Sequence, residues 1–204
     1  MRMRPMPFAP SVEGIRAGEA GEIAELEKII SYWTGGTYGA GEWFSEVAES
    51  WGTAGFVVRR GEEVLGFVVY GPRAYLPRAG RYPVGPMGED AALLAYVEGD
   101  ARTRRRLLVR SMRDLRLRGF GGVEAIASDL GLPRHVPTRF LSESGWKPVR
   151  RSAGYPYTLM RADFGSVVEV GELARGLMGR VKLPVLKAPV RPALVRVRAQ
   201  ERRS

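Results

Sequence analysis

Two β-rich runs, residues 55–59 and 64–70, stand on either side of Arg60-Gly61-Glu62-Glu63. Branched and aromatic side chains fill a pleated, half-buried surface. Two such runs joined by a short glycine-bearing tetrapeptide read as a β-hairpin. A lone hairpin is marginal in water, so further strands must lie beside it. Residues 91–97 are apolar throughout and read as a buried central strand. Residues 123–127 read as another, residues 157–161 as a final strand and residues 13–16 as a short opening one.

Helices fall between these runs. Ile23, Leu26, Ile29 and Ile30 recur at helical spacing over residues 22–32, with acidic residues in the first turn. Residues 34–41 form a glycine-rich loop, and residues 42–50 a second helix with Trp43, Phe44 and Val47 inward. Residues 72–86 read as a long loop of Pro, Gly and aromatics, either a binding loop or a surface excursion. The clearest helix spans 104–118, with Leu108, Met112 and Leu115 as its stripe and Gly119 as a C-cap. A short helix over 138–144 ends at Gly145. The order is that of a mixed α/β domain over residues 13–164, after a tail of residues 1–12. Residues 165–204 read as a C-terminal extension: an amphipathic helix at 168–178, then a Pro-punctuated basic stretch with enough Val and Leu to pack on something.

The sequence has no cysteine and one histidine, His135. Thiolate nucleophiles, disulfides and Cys- or His-rich metal sites are therefore excluded, and no metal is expected. No apolar run approaches the ~18 residues of a membrane span. The N-terminus lacks the apolar segment of a secretory signal, so a cytoplasmic location is expected. Lys+Arg number 32 against 22 Asp+Glu, a net charge of +10. That balance suits a polyanionic partner, nucleic acid or a phosphate-rich coenzyme, and equally a plain charged surface.

Several segments, in order, resemble the GNAT N-acetyltransferases. Phe140-Leu141-Ser142-Glu143-Ser144-Gly145-Trp146 is similar to that family's FYEKLGF segment, and Tyr157-Thr158-Leu159-Met160-Arg161 to its closing strand. The hairpin resembles its second and third strands. Residues 93–120, ending Arg118-Gly119-Phe120, resemble its fourth strand, coenzyme loop and third helix. Val123-Glu124-Ala125 and residues 90–94 resemble an uncharacterised GNAT subgroup, here with a coenzyme loop lacking the usual glycines. The resemblance implies an α/β GNAT fold: a mixed, mostly antiparallel sheet flanked by helices. It implies acetyl-CoA bound where the fourth and fifth strands splay, and an amine acceptor attacking the thioester directly. Leu94, Ala95, Tyr96 and Val97 would pair with pantetheine, and Phe140 would line the same cleft. An alternative is an inactive GNAT-fold module that binds nucleic acid or the ribosome through eight arginines between Arg102 and Arg118, or a regulatory partner protein.

The family loop reads Q/R-x-x-G-x-G/A, whose glycines let backbone approach phosphate. Here Arg102 and Arg104 fall on the glycine positions of Ala101-Arg102-Thr103-Arg104-Arg105-Arg106. Guanidinium groups would take over the phosphate contacts, or the arginines are a solvated face. The family's general-acid tyrosine falls on Leu141, which cannot donate a proton. Tyr155, Tyr157, Tyr96 or water would replace it, or the thiolate would leave unaided. Glu98, ending the central strand, and Glu124, on its neighbour, are the candidate bases, each with a structural ion-pair reading beside it. Trp33, Tyr38, Trp43, Tyr75 and Tyr82 fall where acceptor-binding elements would, as pocket lining or as core. His135, in the Pro-flanked PRHVP segment, reads as a surface or capping histidine near the acyl end of the cleft, with a catalytic role as the alternative.

Overall fold

The structure, a computed structural model, describes residues 9–164. The expected helix at 168–178 and the basic stretch after it lie outside the described residues.

One seven-stranded sheet runs in the order β1-β2-β3-β4-β5-β7-β6. Its strands are β1 (Ser11–Gly14), β2 (Gly55–Arg60), β3 (Glu63–Gly71), β4 (Ala91–Val97), β5 (Gly122–Ser128), β6 (Lys147–Arg151) and β7 (Tyr157–Asp163). Every neighbouring pair is antiparallel except β4 and β5, which are parallel. The helices are α1 (Ala17–Ala20), α2 (Ala24–Thr34), α3 (Ala40–Ser50), α4 (Ala101–Leu117) and α5 (Thr138–Glu143). Among the described residues, no helix is long and apolar enough to cross a membrane.

The sheet separates two cores. On one face Trp33 of α2 and Trp43 of α3 pack with Phe67, Val69, Leu93, Ala95, Ile126 and Leu159. On the other, Leu107 and Leu115 of α4 and Leu141 of α5 pack with Tyr70, Leu94, Ala125 and Met160. Each fully buried leucine contributes about 1.5–3 kcal/mol, and β4 feeds both cores because successive strand side chains point to opposite faces.

Several elements differ from expectation. The opening strand lies at Ser11–Gly14 rather than 13–16, and the single-turn helix α1 was not expected. β6 was not expected as a strand, because Lys-Pro-Val-Arg-Arg is exposed along its whole length. It closes one edge of the sheet, where charge and proline block pairing with another chain. The expected loop at 72–86 contains two 3₁₀ turns, Arg73–Tyr75 and Pro77–Arg81. α4 begins at Ala101 rather than Arg104 because Asp100 caps it.

Candidate active site

β4 and β5 pair only at Ala91–Gly122, Ala92–Val123 and Leu93–Glu124. Beyond that point β4 continues to pair with β3, and β5 continues along β7 as far as Ser128–Tyr157. The sheet therefore opens between Leu94–Val97 on one side and Ala125–Ser128 on the other. A bulge accompanies the opening. Val69 and Tyr70 are adjacent on β3 but oppose Tyr96 and Leu94, which leaves Ala95 unmatched. Bulges bend a strand and increase its twist. Backbone groups of β4 that face the opening have no strand partner among the described residues, so an extended ligand bearing amides can pair with them as an added strand.

The turn from β4 into α4 is short: Glu98, Gly99 and Asp100. Gly99 has φ +123°, a conformation that excludes a side chain. Asp100 Oδ1 accepts from the Thr103 N–H at 2.7 Å. That backbone donor holds the Asp100 carboxyl below its ordinary range. The stretch expected to be a coenzyme loop is thus the first turns of a capped helix. A carboxylate already sits where a helix start would offer its N–H groups to phosphate. Arg102, Arg105 and Arg106 are exposed around this start, and Arg106 Nη1 donates to the Pro10 carbonyl at 3.1 Å. Arg104 turns inward. Its guanidinium lies 4.6 Å from the centre of the Phe140 ring, with a buried Nε that has no partner among the described residues. Tyr96 stands beside Glu98 and Arg104; burial first, and then the Glu98 carboxylate, push its hydroxyl up to about 12.

Further along α4, Arg118 donates to Asp114 and to the Trp51 and Thr53 carbonyls, and Arg110 covers the Phe56 ring. Arg102, Arg105, Arg113 and Arg116 are exposed on one helical face.

Glu124 is buried at the closed end of the opening. Its Oε2 accepts from the Gly88 N–H, and its Oε1 from Arg161 Nη1, both at 3.0 Å. Arg161 also bonds Asp90 and Asp163, and the three carboxylates hold its guanidinium firmly charged. Glu124 therefore serves as one arm of a buried ion-pair cluster. Glu98, by contrast, adjoins the start of α4, about 10 Å along the strand from Ala95 at ~3.3 Å per residue.

The expected aromatic pocket divides in two. Tyr38 stands beside Glu46 of α3, which raises its hydroxyl, and the Tyr75 hydroxyl bonds Ser50 at 2.7 Å. Trp43 is fully buried and donates from Nε1 to the Tyr75 carbonyl at 2.8 Å. Trp33 and Tyr82 join a second group, with Tyr32, Tyr157 and His135. Trp33 is fully buried, and its indole N–H has no partner among the described residues. Tyr32, Tyr82 and Tyr157 pack against the same core that holds Ala95 and Ile126. This group therefore borders the opening on its α2 face.

His135 is only 4% exposed, not a surface residue. Its surroundings fix its tautomer. Nδ1 lies 3.0 Å from the Pro133 carbonyl, which can only accept, so Nδ1 carries the proton. Nε2 then accepts from the Tyr82 hydroxyl at 2.7 Å. With that proton committed, the Tyr32 hydroxyl donates to Tyr82. Burial, with lesser repulsion from Arg78 and Arg134, lowers the His135 pKa and favours the neutral ring. Burial also raises the Tyr82 hydroxyl far above its ordinary value. Tyr155 stands apart, 60% exposed between β6 and β7, and Leu141 of α5 is wholly buried.

Solved structures share this architecture. A protein from Desulfovibrio desulfuricans assigned to the GNAT acetyltransferase family is 19% identical, over 76% of this chain and 99% of its own, with a TM-score of 0.50. An N-acetyltransferase from Staphylococcus aureus Mu50 is 15% identical, over 76% and 98%, with a TM-score of 0.51. The yncA protein of Salmonella typhimurium, assigned as an acetyltransferase and solved with acetyl-CoA, is 13% identical, over 78% and 96%, with a TM-score of 0.54. No protein-family model matches the sequence, and no curated protein does. At these identities the likeness is one of fold: the chain has the fold of the GNAT acetyltransferases.

Proposed function

We propose that the chain is an N-acetyltransferase that uses acetyl-CoA and passes the acetyl group to an amine by direct attack on the thioester carbonyl. The observation that carries this reading is the parting of β4 from β5 after Leu93–Glu124, with the Ala95 bulge at the fork. The residues present fit the coenzyme. Unpaired backbone along Leu94–Val97 suits the two amides of pantetheine. Phe140 and Tyr96 give the opening an apolar wall. Asp100 occupies the helix start, so the phosphates fall to side chains: Arg102, Arg105 and Arg106, with Arg104 held inward on Phe140. Bound there, acetyl-CoA would supply an acyl group on a thiol able to leave as thiolate.

The chain's own contributions are positioning, exclusion of water and removal of the amine's proton. The Ala95 bulge redirects the β4 backbone at the fork, where an N–H can polarise a carbonyl. Packing by Trp33, Leu93 and Ile126 keeps the α2 face dry. Glu124 is committed to Arg161 and Gly88, and Glu98 stands at the phosphate end, so the proton acceptor is better sought near the bulge.

The test is amine-dependent release of free thiol from acetyl-CoA, with mass spectrometric detection of the acetylated amine. Arg102→Ala with Arg105→Ala should raise the KM for acetyl-CoA and leave KM for the amine unchanged. No release with any amine, from protein shown to be folded, would sink the reading. The exposed arginine face of α4 also suits RNA or another polyanion. Binding that falls steeply with salt, without competition by acetyl-CoA, would support that second reading.

A further inference from the structure

Arg78 and Arg134 come from different parts of the chain, the second 3₁₀ turn and the loop after β5, and converge on one ring. Arg78 Cζ lies 4.2 Å and Arg134 Cζ 5.2 Å from the centre of Tyr32. Neither the half-buried Arg78 nor the exposed Arg134 has an ion pair or hydrogen bond among the described residues; of the other half-buried arginines Arg59, Arg118 and Arg161 have one, and Arg104, set on Phe140, does not. The Arg78 Nε is buried and has no partner among the described residues. Buried donors are nearly always satisfied, so this one calls for an acceptor. Arg134 adopts φ +64°, the one non-glycine in the left-handed region among the described residues. Two cations thus stand at one end of the Tyr32–Tyr82–His135 chain, with no carboxylate paired to either among the described residues.

We propose that the acceptor is an amine bearing its own oxyanion, a carboxylate or a phosphate. Arg78 and Arg134 bind that oxyanion beside Tyr32, and the Tyr32–Tyr82–His135 chain takes up the amine's proton. This rests on the acetyltransferase reading above and names the substrate class of the same site.

The proton count closes. The ammonium gives one proton to the Tyr32 oxygen. Tyr32 passes its own to Tyr82, and Tyr82 passes its own to His135 Nε2. The neutral nitrogen then forms the C–N bond to the acetyl carbonyl as the C–S bond breaks, with the electron pair leaving on sulfur. The second nitrogen proton goes to that sulfur, and His135 returns the first to solvent. The groups facing His135 are Tyr32 from α2, Arg78 from the 3₁₀ turn, Tyr82 after it, Arg134 beside it and Tyr157 from β7. The charged ones are both arginines, and both oppose an imidazolium. An oxyanion seated on them cancels that opposition, so the acceptor makes its own base stronger.

His135 is the chain's only histidine, so the tag-free protein gives one set of imidazole resonances. Its titration midpoint is measured by NMR alone, then with millimolar glycine or glycinamide, and with phosphoethanolamine or ethanolamine. The anionic member of at least one pair should raise the midpoint, and its neutral partner should not; which pair responds separates carboxylate from phosphate. Arg78→Gln and Arg134→Gln should remove the response while the remaining spectrum stays folded. Where turnover is measured, the anionic amine should exceed its neutral partner in kcat/KM by at least about tenfold. Equal midpoints with both members of both pairs, or equal turnover of both, overturn the proposal. Acetyl-CoA binding is measured on the same sample: its loss there would remove the acetyltransferase reading, whereas binding without a midpoint shift removes only this inference.

Discussion

Leu93 and Glu124 are the last residues at which β4 and β5 meet, and the next residue but one on β4 is the unmatched Ala95. Parallel neighbours normally stay paired, because each unpaired backbone group buried from water costs free energy comparable to a lost hydrogen bond. A sheet that opens in its middle while its flanks stay paired is shaped for something to enter.

The turn from β4 into α4 depends on Gly66. A Cβ there would lie 2.3 Å from the Glu98 carbonyl oxygen and 2.8 Å from Thr103 Cγ2. Gly66→Ala should destabilise the protein by about 1–3 kcal/mol, as overpacking does. It should also weaken acetyl-CoA binding, because Glu98–Asp100 must shift. Urea unfolding and calorimetry check the two effects separately.

Asp100 caps α4 and, at the proposed coenzyme site, sets a negative charge against phosphate. Asp100→Ser keeps a cap and removes the charge, so acetyl-CoA should bind more tightly with little change in Tm. Asp100→Ala should lower Tm. The Asp100 carboxyl is held below its ordinary range, so its support for the helix is full above the usual carboxylate pKa. It is lost as pH falls through the depressed value.

Arg161 holds Asp90, Asp163 and the buried Glu124. Arg161→Ala leaves Glu124 without its countercharge and should cost about 3–5 kcal/mol. Glu124→Gln, which keeps an acceptor for the Gly88 N–H, should cost less and leave thiol release largely intact. A loss of kcat in Glu124→Gln with KM unchanged would instead assign Glu124 a part in the chemistry.

His135 titrates below its ordinary value near 6.5. The unfolded chain therefore takes up the proton first as pH falls. Stability from this group is full above the ordinary value and declines from there down to the lowered folded pKa. His135→Gln should flatten that part of the stability–pH curve, which chemical denaturation at several pH values measures. Activity of the native protein should fall over the same acidic limb.

Much of the sheet was legible because its strands are apolar where buried: residues 91–97 and the 55–70 hairpin stand out by composition alone. β6 was not, since an exposed edge strand has no buried face to mark it. The fork at Leu94–Val97 was located only through the family resemblance, because a bulge leaves no periodic trace in Leu-Leu-Ala-Tyr. The arginines were noticed, but their capped-helix setting depended on Asp100, a single polar residue whose role is positional. His135 illustrates the same limit. Between two prolines it looked like a surface residue, and only long-range contacts with Tyr32, Tyr82 and Tyr157 bury it. Arg78 and Arg134 lie in two Pro-bearing loops that the sequence marks separately, and only the fold brings them to one ring.

The most direct test of the account is calorimetric titration of the protein with acetyl-CoA at two salt concentrations. The account predicts saturable binding that weakens with salt and with Arg102→Ala or Arg105→Ala, and that survives Glu124→Gln. No heat of binding at millimolar acetyl-CoA, from folded protein at low salt, would contradict it.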